Sequence, residues 1–590
     1  MCGIAGIVRH SGINEQDRLC VARLERLLLH RGPDGAGRYH DRTCALAQTR
    51  LSLIGPLSLG LPVSSPDGRY VIVYNGEVYN FPELRQELQP ATPFTLRTDT
   101  DVVLAAWIRW GSRALTRFNG MFAFFIWDAL QQRGFAACDP LGIKPFFYNA
   151  TADRFFFASE AGALVESGGV RFVTDDESIA ESLTAPYFSS VTALPFAGIA
   201  RLQPGHYLEL HQGGLTISQV PQVSDSADPY SPGFLNRLGD TLDLAVSAAM
   251  RADVPVGVFL SGGVDSSLLA AIAQSHSSQP VPAWTISYSG EDTVDYSRSL
   301  IVRSPDLPFA ERVASQCGCA HTVVRVDEAR YEAALLRTLH TNDLISAWEQ
   351  EVSQHILAET AAPHVKAVLV GDAADETHFG YSFLLNPARI ESPGRVIDFF
   401  GTPPLRREFL DDPAGHFTCK YRKFAEDRGH RWTTPDEQCM AMSCLIYHLW
   451  LTRLLHNGDI HLMAHSLEGR VPFGDTRLLA LARLVPQELG FRDGIEKWHL
   501  RRAAERFVEP SVAWRPKSAL TKNLRAHAII HRHFVRAWRE CGAFLEPYVD
   551  CDAVERLASG DPPTTEQGTG LCFRLLAVMT WFRRFHKAAA

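Results

Sequence analysis

The feature that most constrains this 590-residue sequence is an apolar run at residues 254–260. It ends in Ser261-Gly262-Gly263-Val264-Asp265-Ser266-Ser267 and passes directly into the helical pattern Leu268-Leu269-Ala270-Ala271-Ile272. Small residues sit where backbone must approach a ligand closely. A strand, a glycine-rich loop and a helix start, in that order, present free N–H groups and the positive end of a helix dipole to an anion. The lysine of the G-x-x-x-x-G-K-[ST] phosphate loop is missing. A helical pattern over residues 235–251 precedes this unit, and apolar runs at 281–288 and 365–370 follow it. Such alternation predicts a parallel α/β sheet. Beyond about residue 400 the pattern is nearly all helical.

Residues 1–205 have another texture. Short β-rich runs at 69–74, 122–127 and 154–158 are broken by turn residues, and helical spacing occurs at 17–29 and 101–110. This predicts sheets covered by helices, an α+β layering. Residues 206–232 carry Gln212-Gly213-Gly214 and Ser224-Asp225-Ser226-Ala227-Asp228-Pro229, which reads as a linker between a first domain, 2–205, and a second, 233–590. Hydrophobic residues make up 46% and charged residues 21%, enough apolar material for extensive cores. The formal net charge of −8 leaves no overall positive field, so nucleic acid is not expected as a partner. No apolar run approaches the ~18 residues of a membrane span, and the N-terminal apolar stretch is too short for a signal-peptide core. The 12 cysteines include no C-x-x-C pair. A reduced cytoplasmic setting is the expectation.

Chemistry enters at Cys2. With Met1 removed, residue 2 would carry a thiol and a free α-amine together; the amine, of ordinary pKa about 8, can take the thiol proton, and the thiolate attacks amides and esters. Taken alone, Cys2 reads as a small buried residue in a first strand. Its company changes that reading. Cys2-Gly3-Ile4-Ala5-Gly6, His30-Arg31-Gly32-Pro33-Asp34-Gly35, Arg50-Leu51-Ser52-Leu53-Ile54, Tyr74-Asn75-Gly76-Glu77-Val78-Tyr79-Asn80 and Thr98-Asp99-Thr100-Asp101 follow in this order. They are joined by Phe118-Asn119-Gly120-Met121-Phe122-Ala123, Leu141-Gly142-Ile143-Lys144-Pro145, Phe157-Ala158-Ser159-Glu160 and Gln203-Pro204-Gly205-His206. Together they resemble the glutaminase domain of class II, N-terminal-nucleophile glutamine amidotransferases, specifically that of asparagine synthetases. The resemblance implies a four-layer αββα Ntn-hydrolase fold and hydrolysis of glutamine by Cys2. Glutamine would be bound by Arg50, Leu51, Ser52, Leu53 and Ile54 together with Asn75, Gly76, Glu77 and Asp99. An oxyanion needs two preorganised donors, which by similarity are the Asn75 side chain and the Gly76 N–H. Arg50 is a planar fork for the α-carboxylate, and Glu77 with Asp99 suits the α-ammonium. In isolation, Asn75-Gly76 reads as a hairpin turn.

The loop at 261–267 resembles the PP-loop of ATP pyrophosphatases, which cleave ATP between its α- and β-phosphates. This implies an adenine-nucleotide α-hydrolase-like parallel-sheet domain with a helical C-terminal part, using ATP and Mg²⁺. The implied ATP contacts are Phe259, Leu260, Ser261, Gly262 and Gly263, then Asp265, Ser266 and Ser267, with Ile286, Val370 and Gly371. Asp265 and Asp375 are the implied Mg²⁺ ligands. Asp372 stands where the family has the acid that supports acyl-adenylate formation, and Lys517 matches the lysine that stabilises the leaving pyrophosphate. A lone basic pair such as Arg515 and Lys517 otherwise reads as a solvated helix end. His465 and the motif Lys497-Trp498-His499-Leu500-Arg501 also resemble this half. His527, His531 and His533 have no acidic or cysteine neighbour in sequence, and a metal site is not expected there.

The resemblance frays in the second half only. Thr377, His378 and Phe379 depart from the family's acidic loop, and Ala373 stands at a common Gly position, where φ > 0 would cost ~1 kcal/mol or more. Residues 341–344 lack the expected proline, and Ile460 and Leu462 replace polar residues. The expected reaction is amidation of a carboxylate with ammonia from glutamine, through an acyl-adenylate. Aspartate is the default acceptor, and another carboxylate of specialised metabolism is the alternative that the altered loops motivate. A scaffold with decayed chemistry would not keep Cys2, Arg50, Asn75, Glu77 and Asp99, and a lactam-forming relative would lack Cys2. The partners expected are small molecules, with no nucleic acid and no membrane; a homodimer is left open.

Overall fold

Period-two alternation along one strand sets the architecture of the first half. In β6 (Gly120–Asp128), Phe122, Phe124 and Ile126 face a helix layer, while Ala123, Phe125 and Trp127 face a second sheet. The computed structural model describes residues 2–56, 60–189, 194–211, 214–299, 301–385, 387–407 and 411–589. Met1, Gln212 and Gly213, on which parts of the sequence reading fall, lie outside them.

Eleven further strands complete this half: β1 (Cys2–Arg9), β2 (Gly35–His40), β3 (Cys44–Arg50), β4 (Val63–Ser64), β5 (Tyr70–Val78), β7 (Arg133–Cys138), β8 (Phe147–Ala150), β9 (Arg154–Ala158), β10 (Ala200–Arg201), β11 (His206–His211) and β12 (Gly214–Gln219). They form two antiparallel six-stranded sheets, ordered β10-β8-β9-β1-β3-β2 and β12-β11-β7-β6-β5-β4. Ile4 and Val8 of β1 meet Val71 and Val73 of β5 between the sheets. The helix Glu15–Leu27 covers the outside of the first sheet, and helices Phe81–Leu88 and Asp99–Trp110 cover the second. The result is the expected αββα stack.

The linker expectation of 206–232 needs correction. Residues 206–211 and 214–219 pair with each other and, through β7, extend the second sheet. Leu208 and Leu210 bury their side chains in the inter-sheet core while Glu209 between them stays exposed and Tyr207 is half-buried, a half-buried edge hairpin whose polar face reads as loop in sequence.

In the second half, β13 (Val256–Phe259), β14 (Pro282–Tyr288), β15 (Ala320–Val326), β16 (Ala367–Leu369) and β17 (Glu468–Arg470) form a parallel sheet ordered β15-β14-β13-β16-β17. Order reverses at β13, with β14 on one side and β16 on the other, and a crevice at the carboxyl ends of strands at such a switch point is where open α/β sheets bind ligands. The C-terminal helix Glu566–Ala589 packs back on the first half, where Arg584 pairs with Glu166 at 2.8 Å. The segment lacking proline uses Asp343 instead, whose carboxylate accepts the Ala161 N–H at 2.6 Å. Among the described residues no helix is long and apolar enough to cross a membrane.

Candidate active site

The structure gathers the expected glutaminase residues at the ends of three strands. β1 pairs antiparallel with β3, placing Cys2 opposite Arg50. β5 brings Asn75, whose Oδ1 accepts the Cys2 N–H at 3.1 Å. Its Nδ2 is buried with no hydrogen-bond partner among the described residues, an unused donor on the amide that holds the Cys2 backbone. A Cβ on Gly76 would lie 2.2 Å from the Met121 carbonyl and 2.6 Å from the Phe122 Cα, so only glycine fits against β6. Burial pushes the Cys2 thiol up, with Gln48 and the Leu51 backbone pulling against it.

Arg50 donates to the Pro56 and Ile54 carbonyls at 2.6 and 2.8 Å. Carbonyls orient its guanidinium without neutralising it. The loop 51–55 is itself tied down by Asp34, which accepts the Ser52 N–H at 2.7 Å, and by Asp253, which accepts the Gly55 N–H at 2.8 Å. Glu77 and Asp99 are buried close enough to repel. Burial first, then Asp99, pushes Glu77 well above the usual carboxylate range against the pull of Arg470; burial likewise raises Asp99. Two buried acids raised in this way favour a cation between them.

One charged chain runs from this site into the second half. Arg31, fully buried, donates to the Cys2 carbonyl at 3.3 Å, to Glu160 at 3.0 Å and to Asp459 at 2.6 Å. Asp459 also lies 3.5 Å from Lys144 Nζ. Lys144 and Asp459 both face a cavity of about 300 Å³ in the second half.

That cavity lies over the carboxyl end of β13. Phe259, Leu260, Ser261, Gly263, Asp265, Ser266, Ile286, Val370 and Gly371 line it, as do Asp372, Asp375 and Lys517. Gly262 and Ser267 do not. Gly262 (φ +69°) backs onto Phe309 and Ala310, where a Cβ would come within 2.5 Å, and Ser267 is wholly buried under the loop. The loop is preformed: Ser266 Oγ accepts the Ser261 N–H at 3.1 Å, and Arg515 donates to the Ser261 carbonyl at 2.8 Å while paired with Asp306 at 2.9 Å.

The acids here are split by two lysines. Lys497 Nζ bridges Asp265 and Asp375 at 2.6 Å each, and Lys517 pairs with the other oxygen of Asp375. Burial works to raise Asp375, but both ammonium groups overcome it and hold the carboxyl at about 2. Its neighbours go the other way: burial, reinforced by the Asp375 charge, pushes Asp372 up to about 6 and Glu376 up to about 8. Strongly divergent acids in one cleft are a signature of a functional site. Asp265 Oδ1 and Glu376 Oε2 are buried without partners among the described residues.

The departures from the family pattern have structural reasons. Ala373 adopts φ +72° and Phe379 φ +62°, bracketing the short helix Ala374–Thr377 that carries Asp375 and Glu376. Left-handed backbone at non-glycine residues costs roughly 1–2 kcal/mol each. Phe379 fills space left by Gly490, and His378 Nδ1 meets His499 Nε2 at 2.7 Å in a buried contact. Elsewhere His465 contacts His355 at 3.2 Å. His533 pairs with Glu332 at 2.6 Å and His531 with the Leu557 carbonyl at 3.0 Å, so each has its own partner.

Sequence reasoning assigned no role to Lys497, the residue most central to the acids. Its φ of +55° and its partners 232 and 122 positions away leave no local signal beyond the motif that carries it.

Two family models match the chain. One described as a glutamine amidotransferase domain covers residues 1–220, and one described as asparagine synthase covers residues 237–583. A putative asparagine synthetase [glutamine-hydrolyzing] of Mycobacterium bovis is 30% identical over 580 residues, spanning 88% of this chain and 85% of its own. Asparagine synthetase [glutamine-hydrolyzing] 1 of Bacillus subtilis is 27% identical over 562 residues, spanning 88% and 86%. Among solved structures, the glutamine phosphoribosylpyrophosphate amidotransferase of Bacillus subtilis overlaps at 16% identity and a TM-score of 0.29, covering 55% of this chain and 81% of its own.

Proposed function

Because the chain belongs to the asparagine synthase family, we propose that it amidates a carboxylate with nitrogen taken from glutamine, consuming ATP. At the first site Cys2 attacks the glutamine side-chain carbonyl. Asn75 Nδ2 and the Gly76 N–H stabilise the oxyanion, ammonia leaves, and water releases glutamate from the thioester. Arg50 holds the α-carboxylate of glutamine, and Glu77 with Asp99 its α-ammonium. The observation that carries this reading is the unpartnered Asn75 Nδ2 held beside Cys2 by the Cys2 N–H.

At the second site a carboxylate oxygen attacks the α-phosphorus of ATP and the bond to the β-phosphate oxygen breaks. Lys517 and Lys497 face the charge that develops on pyrophosphate. Ammonia nitrogen then attacks the acyl carbon, the bond to AMP breaks, and the amide loses a proton. Asp265, with an unused buried oxygen, and Asp375 are hard oxygen donors of the kind Mg²⁺ takes; the ion would offset phosphate charge there. The Arg31–Asp459–Lys144 chain joins the Cys2 carbonyl to the cavity wall, and ammonia passes beside it within the protein. Residues 2–219 act as the glutaminase and 233–590 as the synthetase, in the cytoplasm.

L-Aspartate, giving L-asparagine, AMP, pyrophosphate and glutamate, is the acceptor that the relatives' names carry. A different carboxylate is the second reading, and the aromatic lining of the cavity favours it. Purified protein is expected to release glutamate from glutamine and, with ATP and an acceptor, pyrophosphate. Cys2→Ala should lose glutamine-driven amidation and keep the ammonia-driven reaction. Glutamine hydrolysis by Cys2→Ala would refute the assigned nucleophile.

A further inference from the structure

Six cationic side chains line the cavity: Lys144, Arg303, Lys497, Arg501, Arg515 and Lys517. Acids of the protein itself neutralise five of them. Lys497 bridges Asp265 and Asp375, Lys517 holds the second oxygen of Asp375, and Lys144 stands 3.5 Å from Asp459. Arg501 is paired with Glu496 at 2.7 Å and Arg515 with Asp306 at 2.9 Å. Arg303 has no acid partner among the described residues. Its guanidinium makes one long hydrogen bond, to the Ser299 carbonyl at 3.4 Å, which orients the group and leaves its charge whole. Arg303 is exposed, so it stands at the rim of the cavity and not on its floor.

The backbone that carries Arg303 is fixed. The Arg303 N–H donates to Ser518 Oγ at 3.0 Å and the Ala519 N–H to the Ile301 carbonyl at 3.0 Å, so residues 301–303 lie against 518–519, directly after Lys517. On the other side of Arg303, one Arg515 nitrogen donates to Ser304 Oγ at 2.9 Å, to the Pro305 carbonyl at 3.3 Å and to Asp306 at 2.9 Å. The other terminal nitrogen of Arg515 donates to the Ser261 carbonyl at 2.8 Å. One guanidinium therefore ties the Arg303 segment to the loop 261–267. Thr521 donates to the second Asp306 oxygen at 2.9 Å, which leaves that acid fully engaged.

Two anions enter the cavity in the proposed reaction, a triphosphate and a carboxylate, and the position of Arg303 favours the first. Asp372, where the adenylate forms, lies against the helix Leu451–Met463: a Cβ on Gly458 would stand 3.5 Å from its Oδ2, one residue before Asp459. Arg303 is fastened instead to the residue after Lys517 and, through Arg515, to the loop 261–267. When the bond to the α-phosphorus breaks, its electron pair passes to the β-phosphate oxygen and pyrophosphate gains charge. Lys497 and Lys517 share their own charge with Asp375 and offset that gain only in part. An unshared guanidinium presents two parallel donors to phosphate oxygens and keeps its proton throughout.

We infer that Arg303 is a phosphate-binding residue at the cavity rim, its planar fork on the β- and γ-phosphates of ATP and then on the pyrophosphate as it leaves. This rests on the proposed ATP-dependent amidation and adds a residue to its second site.

The test is calorimetric titration of the full chain with magnesium pyrophosphate, magnesium ATP and AMP, none of which needs an acceptor, followed by ATP–pyrophosphate exchange with L-aspartate. Arg303→Gln should weaken pyrophosphate and ATP binding about tenfold, as loss of a charge-assisted contact implies, and AMP binding by less than about twofold. Arg303→Lys, which keeps the charge and loses the fork, should fall between. Because Arg303 is exposed, the pyrophosphate deficit should shrink as salt rises from about 0.05 to about 0.5 M, which a merely structural role would not produce. Unchanged pyrophosphate and ATP binding would overturn the inference, as would an equal loss for AMP. A raised KM for aspartate with nucleotide binding intact would place Arg303 on the acceptor and overturn it too, leaving the amidation reading standing. A parent protein that hydrolyses glutamine but binds neither ATP nor pyrophosphate would overturn the amidation reading and the inference with it.

Discussion

Replacing Lys497 by Met removes the ammonium that separates Asp265 from Asp375 while keeping most of the side-chain volume. Lys497 is 1% exposed and lies 2.6 Å from each carboxylate. The two lysines hold Asp375 at about 2 against its ordinary 3.8. At 1.36 kcal/mol for each tenfold change in proton affinity, that difference corresponds to about 2.4 kcal/mol. Breaking one partner from a buried ion pair costs about 3–5 kcal/mol in general. Because Lys517 remains on Asp375 and both carboxylates keep some solvent contact, a loss of about 2–3 kcal/mol is expected at pH 7.5. The sign follows from proton linkage. A carboxyl depressed in the folded protein contributes stability above its ordinary value and loses it as pH falls through the depressed one. In Lys497→Met only Lys517 is left to hold the Asp375 carboxyl down against its burial, so protonation of Asp375 relieves the repulsion with Asp265 at a higher pH, and the deficit against the parent should narrow toward pH 5. Urea unfolding followed by tryptophan fluorescence at pH 7.5 and 5.0 measures both. A deficit below about 0.5 kcal/mol, or one of equal size at the two pH values, would refute the clamp.

Asn75→Asp keeps an oxygen for the Cys2 N–H but exchanges the free Nδ2 donor for an acceptor; glutaminase kcat should fall about 10²–10³-fold, and activity within threefold of the parent would contradict the oxyanion assignment. Asp372, raised to about 6 chiefly by burial, should gate the synthetase half. Acceptor-dependent pyrophosphate release is expected to fall as pH drops through about 6 in the parent, and a pH profile unchanged by Asp372→Asn would argue against that role.

The sequence announces what repeats locally and conceals what is assembled at long range. The alternation of Phe122, Phe124 and Ile126 with Ala123, Phe125 and Trp127 carries its own strand, and residues 261–267 carry their own strand-to-helix loop, because in both the relevant neighbours are a few residues apart. The hairpin 206–219 is hidden because an edge strand buries few side chains, Leu208 and Leu210 fully and Tyr207 and Leu215 in part, and its polar face is indistinguishable from a loop. Lys497 is hidden because its meaning lies in Asp265 and Asp375, which only the packed sheet and helices bring to it. The aromatic residues of the cavity wall, among them Trp348, Tyr381, Phe383, Phe400 and Trp450, are hidden for the same reason: the separate pieces of chain that carry them share no periodic pattern.

Ala373 is the instructive exception, since a single substitution at an expected glycine both predicts a strained backbone and locates it. With φ at +72°, a methyl is carried where glycine would be free, so the short helix bearing Asp375 and Glu376 is held in place by its surroundings. Phe379 at the other end, also left-handed, is gripped against Gly490, and Asp375 is gripped by two ammonium groups. Strain of that size persists only where packing over-determines it. The same packing fixes Tyr381 and Phe383, two and four residues beyond Phe379, on the cavity wall. The residues that break the family pattern therefore stand directly before Tyr381 and Phe383 of the cavity wall, and backbone strain and acid placement are set by one short segment of chain.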